Sequence, residues 1–192
     1  MSKKTDLRVL RTRSNIRKAF YEMMKEKKYN KITVQDIADR AFINRNTFYL
    51  HYLDKEDLLE KISEECFGQI KIRMDSYDEI TSIEDVNAEN LYQLTCFTFG
   101  ALLQDIEFYE MIFMGEGIPS LILEFTDLMK SHMLSFGKDD PRTVYVEFIS
   151  SGLIGMMRYW IQNREKHSVE EISRILIDLY INNIIDLLVE PS

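Results

Sequence analysis

Little in this chain of 192 residues breaks a helix or builds a sheet: it holds 3 Pro and 7 Gly, and no stretch alternates apolar and polar residues over a useful length. The expected fold class is therefore all-α. Its two cysteines, Cys66 and Cys96, lie in different expected helices and lack a C-x-x-C spacing. That argues against a disulfide framework or a zinc knuckle and for a reduced, cytoplasmic setting. The start, MSKKTDLRVLRTR, is basic but has no apolar core, so it does not read as a secretory signal. The longest uncharged run, Asn90 to Gln104, is shorter than the roughly 18 residues of a spanning helix. No membrane association and no cofactor are expected.

Catalytic signatures are missing as well. The three histidines, His51, His132 and His167, stand far apart, and no G-x-S-x-G, P-loop or G-x-G-x-x-G occurs. The acidic pairs Glu64–Glu65, Asp139–Asp140 and Glu170–Glu171 read as helix starts or solvated faces. An enzyme is not expected.

What is present is an uneven charge. The net charge of −8 would by itself argue against nucleic acid. Residues 1–55, however, hold 14 Lys and Arg against 6 Asp and Glu, a net of +8, whereas residues 56–192 hold 10 against 26, a net of −16. A basic module joined to an acidic body is the pattern of a nucleic-acid-binding protein that docks by one end.

The basic part contains the segment Thr33 to Lys55, TVQDIADRAFINRNTFYLHYLDK. Two short helical patterns flank a turn at Ala41, Phe42 and Ile43. Thr33 and Asn44 are favoured N-caps for them. In the second pattern Phe48 and Tyr52 are four apart and share a face, while Arg45, Asn46 and Tyr49 point elsewhere. One apolar face and one face of donors is what a helix laid in the DNA major groove requires. Arg45 suits guanine O6 and N7 and Asn46 suits adenine N6 and N7, though both can equally bind phosphates. Thr47, Tyr49 and His51 offer donors to phosphate oxygens. Lys55, at the start of the fourth helix, joins a cation to a helix N-terminus. Thr33 can meet a phosphate, with Gln35 within reach of a base. Leu50 either touches a thymine methyl or packs on the first helix.

The order ITVQDIA, a short turn, RNTFYLHY and DKEDLLE resembles the N-terminal domain of TetR-type bacterial transcriptional regulators. The resemblance implies a three-helix DNA-binding domain, with the first helix at Thr5 to Lys27 and a fourth running from Asp54 to about Tyr77. It also implies backbone-positioning roles for the threonine, tyrosine and histidine at 47, 49 and 51. Where family members usually carry Gly in the turn, this chain has Phe42. Either the turn is more regular here, or packing of Phe42 bears its strain. The domain division expected is 1–55, extending to about 65, for DNA binding, and 56–192 for effector binding and dimerisation.

The body offers further signals. Gly137 is an expected stop for a helix begun at Pro119, Asp140–Pro141 an N-cap and first-turn pair, and Ser168 to Glu171 a capping box. The last two helices, VYVEFISSGLIGMMRYWIQ and ISRILIDLYINNIIDLLVE, are too apolar for one narrow stripe. They are either buried within one subunit or paired with their copies in a four-helix bundle. Gly152, Gly155, Leu176, Ile184 and Leu187 are the candidate dimer contacts. The first of these helices also resembles the C-terminal region of a TetR subgroup common in Gram-positive bacteria, whose relatives dimerise this way. Tyr92, Cys96, Phe99, Phe113, Met156, Tyr159 and Trp160 either line an apolar effector pocket or are plain core. The resemblance implies such a pocket, with an effector of unknown identity. The expectation is a homodimeric regulator of a palindromic DNA operator, acting as a ligand-responsive repressor or as an activator. A protein-interaction module without DNA binding is the rival.

Overall fold

The computed structural model describes residues 3–77, 87–114, 118–133 and 140–181, with side chains for 7–77, 87–114, 118–133 and 143–179. Among them every regular element is helical and none is a strand. The helices are α1 (Lys3–Glu26), α2 (Val34–Arg40), α3 (Arg45–Tyr49), α4 (Lys55–Asp75), α5 (Ala88–Leu102), α6 (Ile106–Met114), α7 (Pro119–Met133), α8 (Asp140–Asn163) and α9 (Val169–Ile181).

Capping residues set several boundaries. Thr33 Oγ1 accepts from Asp36 N at 3.1 Å and Asp36 Oδ2 accepts from Thr33 N at 3.0 Å, a reciprocal box that opens α2. Asn44 Oδ1 accepts from Asn46 N (2.8 Å), Asp54 Oδ1 from Asp57 N (2.7 Å) and Ser168 Oγ from Glu171 N (3.1 Å). Each such cap contributes about 1 kcal/mol. Gly137 and the structure around it lie outside the described residues, and α8 is helical from Asp140 itself.

Helices α1 to α3 close around Ile16, Phe20, Ile37, Phe48 and Tyr52, all buried, with Leu58 and Ile62 of α4 completing the set. The apolar spacing along α1 is the reason its inner stripe reaches both neighbours. Helix α4 then runs into the body, where it packs on α5 and α7. Phe125 of α7 is the hub there. Its ring stacks on Phe67 of α4 at 5.4 Å and meets Tyr109 and Phe113 of α6 at 5.6 and 6.0 Å. On the far side α5 packs against α9, and Trp160 of α8 meets Phe99 of α5 at 5.2 Å while donating Nε1–H to the His167 carbonyl at 3.0 Å.

Polar contacts tie α1 to the body. The Arg17 guanidinium reaches Tyr21 Oη (2.7 Å), Glu65 (3.1 Å), Cys66 Sγ (2.8 Å) and Asp105 (3.4 Å), so one side chain touches α1, α4 and the short 3₁₀ turn before α6. Glu110 of α6 holds Lys25 of α1 at 3.4 Å and Arg164, just past α8, at 2.6 Å. A cleft of about 470 Å³ opens beside this seam, between Arg17, Lys18 and Tyr21 on one wall and Asp105 and Glu107 on the other. Both cysteines are free, and burial pushes the Cys66 thiol up to about 12 even with Arg17 beside it. A thiol so held is protonated and unreactive at neutral pH.

Candidate nucleic-acid interface

Helix α2, its turn and α3 place the donor-bearing side chains. Phe48 is fully buried and Tyr52 nearly so, their rings 5.7 Å apart, and this fixes the inner face. Arg45, Asn46, Tyr49 and Leu50 consequently project outward, all exposed. Regular α3 is only five residues long; beyond Tyr49 the chain continues by bonds from His51 N and Tyr52 N to Phe48 O at 2.9 and 3.0 Å. The sequence pattern had suggested a helix up to Tyr52.

The turn departs from both alternatives the sequence left open. Phe42 adopts φ 54, the left-handed conformation usual for glycine, and its side chain is 94% exposed. Its N–H bonds Asp39 O at 3.2 Å, and Ile43 N–H bonds Ala38 O at 3.0 Å. These two bonds form a Schellman motif closing α2. The strain, about 1–2 kcal/mol for a residue with a Cβ, is therefore borne by the motif and by Ile43 packing on the core, and Phe42 itself packs on nothing that buries it.

The other candidates occupy distinct settings. Gln35 Nε2 donates to Asp39 at 2.7 Å along α2. Thr47 is half-buried. Leu50 is 81% exposed, so packing against α1 is not its role, and neighbouring Leu53 is 77% exposed. Burial and the positive charge of Arg13 hold the His51 imidazole below its ordinary pKa. Arg45 donates through Nε and Nη2 to Tyr49 Oη at 3.0 and 2.8 Å, its guanidinium 5.4 Å from that ring. The ammonium of Lys55 turns inward: it donates to the Tyr29 and Ile32 carbonyls at 2.9 and 3.0 Å and sits 4.5 Å from the Tyr29 ring. The phosphate-clamp expectation for this side chain is corrected on that ground, because the Tyr29 and Ile32 carbonyls and the Tyr29 ring hold its ammonium inside the module.

The body's candidate ligand residues fall into several settings, with Phe99 and Trp160 in ring contact and Tyr92 beside Cys96. Phe99, Phe113 and Trp160 are buried in the core and Met156 packs against it. Tyr92 lies beside Cys96 and under Arg174 of α9, 5.8 Å from its ring. Tyr159 is 45% exposed on the outer face of α8, where its hydroxyl lies 3.5 Å from His167 Nε2. The expected grouping is thus divided among separate packing sites. Among the dimer candidates Gly152 and Gly155 are on the outer face of α8, and a Cβ added at Gly155 would meet nothing within 4 Å. Leu176 is corrected: at 1% exposure it belongs to the chain's own core, while among the described residues of α9 Ile175 and Leu179 are exposed. Ile184 and Leu187 lie outside the described residues.

Residues that sequence pattern missed include Arg17, Tyr29 and Glu110. For Arg17 the i, i+4 spacing to Tyr21 is the signal the sequence offers. Among the described residues no helix is long and apolar enough to cross a membrane, and no cluster of His, Cys, Asp and Glu could hold a metal.

Two capped helices joined by a tight left-handed turn, the second bearing arginine and asparagine over a buried aromatic face, define a helix-turn-helix DNA-binding protein. Residues 16–62 match the family described as "Bacterial regulatory proteins, tetR family", and residues 89–182 match "Transcriptional regulator C-terminal region". The chain belongs to the TetR family of DNA-binding transcriptional regulators, which are not enzymes. It is similar to the uncharacterized HTH-type transcriptional regulator YxbF of Bacillus subtilis (27% identical over 175 residues, covering 90% of this chain and 45% of that protein). It also resembles DhaS, the dhaKLM operon transcriptional activator of Lactococcus lactis (39% over 59 residues, covering 31% of this chain and 32% of that protein). The chain thus spans less than half the length of these curated relatives. Among solved structures it shares the fold of FadR from Bacillus subtilis in complex with stearoyl-CoA, with a TM-score of 0.64 and 19% identity over 89% of this chain and 98% of that one.

Proposed function

We propose that this regulator acts as a homodimeric, ligand-responsive repressor on a near-palindromic operator. The observation that carries the reading is the α3 surface: Arg45 and Asn46 exposed side by side over a buried Phe48. In this reading they are the base readers, with Gln35 and Leu50 at the groove edge and Thr33, Thr47, Tyr49 and His51 against the backbone. The basic 1–55 module and the acidic remainder favour docking by this end alone.

A second copy completes the site. The exposed apolar residues Val144, Phe148, Ile175 and Leu179, with Gly152 and Gly155 between them on α8, suit a bundle of α8 and α9 with their partner copies. That pairing would set two recognition helices about one duplex turn, roughly 34–36 Å, apart. An effector with a long apolar chain, of the acyl-CoA kind seen with the FadR relative, would place that chain among the body's aromatic and methionine side chains and favour a dimer of different spacing. Repression is favoured because occlusion asks nothing more of the surface than binding. Activation is the second reading, supported by the activator named among the relatives.

The test measures affinity of Arg45→Ala and Asn46→Ala for a duplex selected from randomised DNA, and for random duplex, at one salt concentration. A drop in the specific-to-non-specific ratio is expected for each; no change in either would sink the assignment of base readers. Transcription in vitro from a promoter overlapping the selected site separates repression from activation, and a thermal-shift screen with acyl-CoAs tests the effector class by mass action.

A further inference from the structure

We propose that Tyr49 is a positioning residue for base readout: it holds the Arg45 guanidinium by one edge and presents the other edge to the DNA. This rests on the reading of Arg45 as a base contact given above. A guanidinium has five N–H donors arranged as a side-on fork, Nε with Nη2, and an end-on fork, Nη1 with Nη2. The two bonds to Tyr49 Oη, at 3.0 and 2.8 Å, come from Nε and Nη2 and so occupy the side-on fork. The end-on fork is left, and its two parallel donors match guanine O6 and N7.

The partner's chemistry matters as much as its position. Arg40, one helix earlier, is gripped by the Glu26 carboxylate at 3.0 and 2.7 Å, so its charge is neutralised within the module. Arg45 instead meets a neutral phenol, which fixes direction without cancelling the charge that the duplex attracts. The ring contributes too, lying 5.4 Å from the guanidinium and edge-on to buried Phe48 at 5.8 Å. Phe48 is fully buried in the core, so the order of the core passes through Tyr49 to a long side chain with many rotamers. A hydroxyl that accepts two N–H bonds still has its own proton to donate. In this arrangement that proton goes to a phosphate oxygen, and such donation strengthens the oxygen as an acceptor for Arg45. One hydroxyl therefore links backbone docking to base reading, and its hold on the arginine tightens when the backbone is correctly seated.

Tyr49→Phe keeps the ring and its contact with Phe48 and removes only the hydroxyl. The probe is the selected duplex together with every single base-pair substitution of it, titrated with the full-length chain at fixed salt. Arg45→Ala identifies the base pair that Arg45 reads, by a loss of preference of about 10- to 100-fold there. Tyr49→Phe should relax the preference at that same pair about 3- to 10-fold and leave preferences at other pairs intact. In the double variant no further loss at that pair is expected. Arg45→Lys, which has no side-on fork, should be insensitive to Tyr49→Phe. If Tyr49→Phe weakens operator and random duplex by one common factor and leaves the preference profile unchanged, Tyr49 is a backbone contact only and the proposal fails. If Arg45→Ala changes no preference at any pair, the base-reading role of Arg45 fails first, and the positioning role of Tyr49 with it.

Discussion

The module formed by α1 to α3 and the body from α5 onward are held in shape by different means. The module has a small core around Phe20, Ile37 and Phe48, yet it exposes Phe42 and Leu50 almost completely. The body gathers Phe108, Tyr109, Phe113 and Phe125, with Phe67 of α4, into one contiguous aromatic stack. Hydrogen bonds and caps shape the first region; dispersion and burial shape the second. The lesson is that the recognition surface tolerates strain and exposure because short polar motifs define its backbone, whereas in the body such caps set helix starts and packing does the rest. Helix α4 and the contacts of Arg17 and Glu110 join the two regimes.

Substitutions can sharpen or break this contrast. The largest effect is expected in the body: Phe125→Ala removes the hub of the stack and should lower unfolding free energy by about 3–5 kcal/mol, read from a urea melt. A loss below about 1 kcal/mol would mean the stack is not what holds the body together. At the seam, Glu110→Gln weakens the pairs to Lys25 and Arg164, and a loss of about 1 kcal/mol is expected after allowing for their partial exposure. That loss should shrink at high salt; a salt-independent change would point to packing instead. In the module, Phe42→Gly relieves the left-handed strain but loosens the unfolded chain, so a gain of about 0.5–1 kcal/mol is expected, with unchanged operator preference. A destabilised Phe42→Gly would show that the φ 54 conformation is not strained here.

The smallest effect concerns protons. Burial and Arg13 both disfavour the His51 cation in the folded chain and hold its pKa below the ordinary value. Its contribution to stability is therefore present above the unfolded imidazole pKa of about 6.5 and is lost as pH falls below it. A phosphate oxygen beside the ring favours the cation, so docking takes up a proton and operator affinity should rise as pH falls from 7.5 to 6, by less than tenfold per unit. His51→Gln should flatten that slope. Equal slopes for both proteins would remove His51 from the phosphate contacts.

The sequence made the module legible because its determinants are local. A cap and the helix it opens lie within four residues, so Thr33, Asn44 and Asp54 announce their helices directly, and the four-residue spacing of Phe48 and Tyr52 identifies the buried face. Phe42 resisted reading, since the same backbone bonds can close a Schellman turn with or without glycine. Lys55 was misread because its acceptors, the Tyr29 and Ile32 carbonyls, are more than twenty residues away. The body was hardest for the same reason. Membership of an apolar helix was visible, but whether Leu176 faces α5 or a second copy depends on the rotation of α9. Tyr159 and Trp160 are adjacent in sequence and end on opposite sides of one helix, outside and inside.

Arg17 belongs to the DNA-binding module by chain position, and its contacts run on to α4 and to Asp105 of the body. Anyone grafting this reading head onto another regulator's sensing half would sever its bonds to Glu65, Cys66 and Asp105 at the suture. A working chimera must therefore carry Glu65, Asp105 and Glu110, or their equivalents, across with the head. Interchangeability of parts in this protein is set by a salt-bridged seam rather than by a linker.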